Sequence, residues 1–457
     1  MTETTTLTAR SAADTQAIAD RVVELVRSKA PDAETEVTVH GGTAALTRFA
    51  NSFIHQNVAE AVSHVLLRVA VDGRTAATSL DGPTDDETLS KLIDGVLEAA
   101  RVRPEDPEWP GLAPVAEAPR VDHWDEATAA ASPDERARRV RDFVAAAGGL
   151  ETAGACSTDA GIVAFANSAG QRLSGRATAA GLDGIARTGT SDGSGRSSSV
   201  RLDDIDGGVL GQLAAAKARG AADPTDLEPG RYEVILEPNS VANLIQFLFV
   251  YGFNGRALEE GRSFVKFGEK QLDDSIDLRD DVTDARHVGI PFDVEGTPRR
   301  RVDVVEAGIS KAVLHTRRTA ARAGVDSTGH AVEGGEQWGA LPTNTVLEAG
   351  DRSPAELLAG VERGLLVTDL WYTRVLDPRT LVVTGLTRNG VWLVEGGRIV
   401  RPLKNLRFTQ SYVEAMAPGA VRGIGSDASL IAGGFDASLL VPSLHLASWN
   451  FTGGAQG

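Results

Sequence analysis

The sequence predicts an α+β protein of two domains: an N-terminal α+β domain over residues 1–225 and a C-terminal, mainly β domain over residues 226–457 that carries one buried helix. Three observations lead there. The chain has 457 residues, more than one hydrophobic core usually serves. Its first half alternates amphipathic helical stretches with strand-like runs. Beyond a polar segment, 221–230, that holds Pro224 and Pro229, short strand-like runs separated by Gly, Asp and Pro turns continue to the end.

In chain order, Ile18, Val22, Val23, Leu25 and Val26 fall at helical spacing, so 14–29 reads as a helix that Pro31 ends. Strand-like runs follow at 34–40, 43–49 and 62–71, the last stopping at the hairpin-type pair Asp72-Gly73. A second helix spans 85–101, with Leu89, Leu92, Ile93, Val96 and Leu97 on one face. Prolines 104, 107, 110, 114 and 119 force the next stretch to be extended. A helix at 133–147 begins with its proline in the first turn. Strand-like pieces cover 161–165 and 172–178, the Gly/Ser-rich 189–199 reads as a loop tip, and 207–219 reads as a helix. After the polar segment come a strand at 231–236 and a helix at 240–251. The latter's apolar residues surround most of its circumference, which predicts burial. Asn389-Gly390 and Glu395-Gly396-Gly397 read as hairpin turns.

Composition narrows the function. Lys and Arg total 46 against 63 Asp and Glu, a net charge of -17, which argues against nonspecific binding to nucleic acid or anionic membrane. The single cysteine, Cys156, permits no intrachain disulfide. It lies among small residues, so packing is favoured over a nucleophilic role. Residues 1–10 lack the basic and apolar regions of a signal peptide, and no apolar run is long enough to span a bilayer. A cytoplasmic protein is the expectation.

Motif chemistry is sparse. The eight histidines are His40, His55, His64, His123, His287, His315, His330 and His445, and no two lie three to five residues apart. A helical zinc pair is therefore absent. There is no CxxC, Walker A or GxSxG pattern. The acidic pairs Asp273-Asp274 and Asp280-Asp281 read as solvated turns, and His55 as a surface strand residue.

A set of short segments, in order and spacing, carries more information. They are 251–257 (YGFNGRA) with 261–264, 268–270 (GEK), 291–298 (PFDVEGTP) with 306–309, 341–344 (LPTN) with 353–356, and 390–399 (GVWLVEGGRI) with Pro402 and Leu403; 51–57 matches more loosely. The chain resembles the TldD/PmbA metallopeptidase family, once labelled modulators of DNA gyrase. The resemblance implies that metal-bearing, TldD-type members place His-Glu-x-x-x-His on the helix before the Gly-x-x-Gly turn and add a C-terminal cysteine ligand. Anchored on Gly252 and Gly255, those three positions are Gln246, Phe247 and Tyr251 here, and the matching stretch 429–438 holds no cysteine. Gln and Tyr are poor zinc ligands and Phe cannot be a base. The chain thus resembles the TldE/PmbA side of the family.

That resemblance implies a subunit with no cofactor of its own, paired with a TldD-type partner that holds zinc and acts on unfolded or short peptides. The alternative is a stand-alone homodimeric peptide-binding or scaffold protein. An unrelated enzyme using His287 or His315 with a nearby Asp has no support in the spacing. Asp293 and Glu295, in 291–298, and Thr343 and Asn344, in 341–344, are the expected peptide-channel residues, with Asp293 and Asn344 expected to be exposed. A turn fixed by the prolines and Gly296, and an Asx-type turn, are the structural readings of the same segments.

Overall fold

A computed structural model describes residues 11–433 and 437–454. The expectation for residues 1–10 lies outside the described residues. The first half forms a six-stranded antiparallel sheet, in the order Arg74–Asp81, Phe53–Val71, Glu34–Ala50, Glu151–Asn167, Arg172–Arg187, Asp192–Ser199. The strands are long, up to 19 residues, so one sheet supports two cores on the same face. At one end the helices Ala12–Lys29 and Asp86–Val102 pack on Val37, Val39, Val65, Val69 and Ala164. At the other, Pro133–Ala146 and Gly207–Gly220 pack on Phe49, Cys156 and Leu182. Residues 37, 39 and 49 share parity, as do 156 and 164, which is why alternation places both helix pairs on one side. Helix starts follow local chemistry: Ser11 with Asp14, and Ser132 with Glu135, form complete capping boxes.

Three local expectations need correction. The runs 34–40 and 43–49 are one strand, Glu34–Ala50, and Gly41-Gly42 is no turn. The two glycines stay in the ladder, opposite Ile162 and Gly161, and position 42 requires glycine, since a Cβ there would sit 2.0 Å from the Ala160 carbonyl oxygen. The expected loop tip 189–199 holds the edge strand Asp192–Ser199. Its small residues serve helix packing: a Cβ on Gly195 would lie 2.1 Å from the Leu210 carbonyl oxygen, and one on Gly193 2.3 Å from that of Ala214. Gly195→Ala is therefore expected to cost about 1–3 kcal/mol by forcing helix and sheet apart, read as a lowered urea midpoint; an unchanged midpoint would contradict this packing. Third, Asn389-Gly390 is a bulge within the strand Val382–Glu395, with positive φ at both residues (59° and 124°), whereas Glu395-Gly396-Gly397 does turn into Arg398–Pro402.

The second half holds two further sheets. In one, Gly230–Leu236, Leu444–Gly454, Leu406–Ser411, Val382–Glu395 and Arg363–Asp377 pair in sequence, and the last pairs back to the first in parallel. The sheet closes as a barrel, which removes edges that would otherwise seek partners. The other sheet runs Ile309–Ser310, Val302–Glu306, Leu278–Asp280, Asn344–Leu347, Ser438–Val441, Ser429–Ala432. Helix Pro238–Tyr251 is buried between them: Val241, Leu244, Ile245, Leu248 and Phe249 are fully enclosed, in one core with Leu365, Phe408 and Trp449. A mixed α+β fold with a β-rich second half and a buried helix is thus what the chain adopts.

The segment 291–298 joins the halves. Phe292 packs on Phe165, Val163 and Leu173 of the first sheet. Thr38 Oγ1 and Gln171 Nε2 donate to the carbonyls of Val294 and Gly296, at 3.3 and 3.1 Å. Among the described residues no helix is long and apolar enough to cross a membrane.

Candidate functional site

The buried helix Pro238–Tyr251 is largely apolar; Ser240 is buried against the Thr368 carbonyl, and the other polar side chains Asn239, Asn243 and Gln246 recur at helical spacing. That stripe faces a cleft of about 470 Å³. Opposite it lies the first sheet, represented by Ser157, Gly181 and the edge strand residues Arg196 to Ser198. Leu430 to Gly433, on and just beyond the edge strand of the second-half open sheet, form another wall. The cleft therefore lies where two sheet edges meet over a helix. Each edge strand pairs on one side only among the described residues.

Charges in the cleft are organised around Arg196. Its Nη1 donates to both oxygens of Asp369 at 2.9 and 2.8 Å, and its Nε to Asp183 at 2.7 Å. Burial opposes the charge, yet Asp369 and Asp183 hold the guanidinium pKa above its ordinary value. Asn389 Nδ2 donates to the same Asp369 at 2.5 Å. Asn243 is fixed in turn: it donates to Thr373 Oγ1 at 3.1 Å and accepts from the Tyr412 hydroxyl at 3.0 Å. Only the polar stripe on an apolar helix signalled this site locally. Arg196 comes from the first sheet and Asp369 and Asn389 from two paired strands of the second half, and no motif connects them.

The three degenerate zinc-motif positions separate. Gln246 lines the cleft, beside 430–433 of the stretch in which the resemblance expects a cysteine ligand; residues 434–436 of that stretch lie outside the described residues. Phe247 and Tyr251 pack instead with their rings 5.6 Å apart, Phe247 5.9 Å from Tyr412 and Tyr251 6.2 Å from Trp338. Burial raises the Tyr251 phenol, so it offers no phenolate. Gln246 brings a neutral amide and Phe247 no donor atom. These residues do not fit zinc, and among the described residues no group of three or more His, Cys, Asp or Glu is placed to hold a metal.

The four expected channel residues do not reach this cleft, and Asp293 and Asn344 are buried rather than exposed. Asp293 Oδ1 accepts from the amides of Glu295 and Thr297, at 3.0 and 2.9 Å, and Oδ2 from that of Ala331 at 3.0 Å. Its carboxylate holds the turn that carries Phe292 onto the first sheet. Glu295 lines a separate pocket of about 300 Å³ with Arg68, Arg318 and Glu336. The amides of Thr343 and Asn344 donate to Asp280 at 3.0 and 2.9 Å. Asp280-Asp281 is accordingly a buried pair and not a solvated turn, with Asp280 Oδ1 3.0 Å from His330 Nε2.

The remaining candidates are structural in their surroundings. His287 is enclosed, with Nδ1 2.9 Å from Ser438 Oγ, and burial lowers its pKa to about 4. His315 Nδ1 contacts Thr319 Oγ1 at 3.2 Å. Neither lines the cleft. Cys156 is buried and its thiol is pushed up to about 11, which leaves it unreactive. His55 is an exposed strand residue.

Residues 229–453 match the model of the PmbA/TldA metallopeptidase C-terminal domain. The chain belongs to the PmbA/TldD family. A metalloprotease of Methanothermobacter thermautotrophicus is 24% identical over 238 residues, 51% of each chain. The Haemophilus influenzae PmbA homologue is 31% identical over 204 residues, 43% of this chain and 42% of the relative. The matches span about half the length of these curated relatives. Among solved structures, TldE from Thermococcus kodakarensis superposes with a TM-score of 0.86 at 18% identity, covering 95% of this chain and 100% of that one. A Thermotoga maritima protein named for modulation of DNA gyrase gives 0.81 at 18% identity, covering 96% and 100%. At such identities the likeness is one of fold, and it extends over both halves of this PmbA/TldD-family chain.

Proposed function

We propose that this chain is a TldE/PmbA-like subunit that binds no metal and works with a TldD-type, zinc-bearing partner on unfolded or short peptides. One observation carries the reading: Gln246 and Leu430–Gly433, which lie in the two segments where the resemblance expects metal ligands, line one open cleft and offer no zinc-ligating side chain. The two one-sided strand edges suit an extended peptide, whose main chain can add to a sheet edge while its side chains vary. A cleft retained where the expected ligand positions hold Gln246, Phe247 and Tyr251 fits a subunit that encloses substrate better than one that cleaves it.

The test is hydrolysis of an unstructured peptide by this chain, by a TldD-type partner, and by both, with zinc measured in each. The expected result is less than stoichiometric zinc and no cleavage for this chain alone, and cleavage that is strongest for the mixture. Chelator-resistant cleavage by this chain alone would refute the subunit reading. Tight self-association with no effect on the partner would favour the homodimeric scaffold. The triple change Gln246→His, Phe247→Glu, Tyr251→His is expected to give no activity and to lower stability, because it replaces two packed rings and places a carboxylate against the Tyr412 ring. Zinc-dependent cleavage by that variant would show that the surroundings were still built for metal.

A further inference from the structure

Among the described residues, four charged side chains line the cleft: Asp183, Arg196, Asp369 and Arg388. The first three neutralise one another through the contacts described above. Arg388 is set differently. Strand pairing places it directly across from Asp369, its natural partner, yet both Asp369 oxygens are engaged by Arg196 and one also by Asn389. The Arg388 guanidinium lies instead over the Trp371 ring, 4.6 Å from its centroid, and no carboxylate stands within salt-bridge distance among the described residues. Trp371 is 51% exposed, so the stack borders the opening.

The backbone is shaped for this placement. Asn389 and Gly390 form the bulge opposite Thr368, where the pairing jumps from Val367↔Val391 to Asp369↔Arg388. Bulges beside sites re-aim a neighbouring side chain. Here the bulge turns the Asn389 amide onto Asp369 and leaves Arg388 on the indole. A guanidinium centred over an aromatic face can still turn its N–H edge to a two-pronged bond with a carboxylate. The remaining cleft groups on the helix, Asn239, Asn243 and Gln246, are neutral.

We infer that Arg388, stacked on Trp371, anchors a carboxylate of the bound peptide, supplied by its C-terminus or by an Asp or Glu side chain. The inference rests on the peptide-cleft reading above and names the substrate chemistry it selects. Trp371 sets the orientation of the fork, and Asn389 acts as a positioning residue by occupying Asp369. In a chain of net charge -17, a cation with no carboxylate partner among the described residues makes the cleft receptive to ligands that the rest of the surface repels.

The experiment is fluorescence anisotropy with the full chain and four labelled, unstructured peptides of one neutral sequence: C-terminal amide, free C-terminal carboxylate, and amidated versions with one internal Glu or Gln. Wild type is expected to bind a carboxylate-bearing peptide about tenfold tighter than its neutral match, with the preference shrinking at high salt. In Arg388→Met the ratio should fall to about one. Preference for the free C-terminus alone, or for internal Glu alone, identifies which carboxylate is held. Equal binding of all four peptides by wild type overturns the anchor while leaving the cleft reading intact, as does an Arg388→Met protein, folded by circular dichroism, that keeps the preference. Absence of binding by every peptide overturns both.

Discussion

Asp280→Ala is expected to lower stability by about 3–5 kcal/mol, the cost typical of removing one member of a buried ionic network. Asp280 is fully enclosed. One oxygen meets His330 Nε2 at 3.0 Å; the other accepts from the amides of Thr343 and Asn344 and, at 3.3 Å, from Thr345 Oγ1. Burial alone would raise this carboxyl, but His330 and the two amides outweigh it and hold the pKa down to about 2. The alanine variant would leave the imidazole and the amides without their acceptor in a dry core. Because the folded pKa lies below the unfolded value near 3.9, the stabilisation is complete above that value and is lost as pH falls towards 2. Urea midpoints of wild type and variant should therefore differ strongly at pH 7 and converge in acid. A difference below about 1 kcal/mol at pH 7 would show that the network is replaced by water. The result would also establish that 341–344 serves the core through its backbone.

Glu36 is expected to give the opposite pH dependence. It is buried between the first sheet and the 291–298 turn, with Oε1 2.7 Å from Arg68 Nη1 and Oε2 unpartnered. Burial pushes its carboxyl up to about 8, against the pull of Arg68 and with help from Glu295 and Asp293. An unfolded Glu titrates near 4.3, so from about pH 4.5 to 8 the unfolded chain releases this proton first. Stability contributed by the protonated form is present at low pH and declines as pH rises through that window. Glu36→Gln should remove the decline: within about 1 kcal/mol of wild type at pH 5, and more stable by roughly 4 kcal/mol at pH 8, since each tenfold difference in proton affinity between folded and unfolded chain is worth roughly 1.4 kcal/mol. A glutamine variant that is less stable at pH 8 would show that Glu36 is ionised there and that its pairing with Arg68 prevails.

Much of the architecture was legible locally. The helices Ala12–Lys29, Asp86–Val102 and Pro133–Ala146 were readable from apolar spacing and capping residues, because helix formation depends on neighbours three and four apart. Burial of Pro238–Tyr251 followed from apolar residues around its circumference. The changed positions Gln246, Phe247 and Tyr251 were likewise visible once the family segments were aligned on Gly252 and Gly255. Strand edges were less legible. Asp192–Ser199 looks like a loop, since the reason for its glycines is the backbone of a helix that arrives later in the chain.

By itself, then, the sequence determined the α+β class, the buried helix and the family to which the chain belongs, since each is written in residues adjacent along the chain or at fixed spacing. Only the tertiary structure decided that Gln246 faces a cleft while Phe247 and Tyr251 do not, that Asp293 and Asn344 are interior, and that Arg388 has no carboxylate partner among the described residues. Those facts depend on contacts between strands far apart in sequence, as between Arg196 and Asp369, 173 residues away, and on competition among side chains for one partner. Burial and pairing of that kind are properties of the packed chain, and no local pattern encodes which of two arginines will win an aspartate.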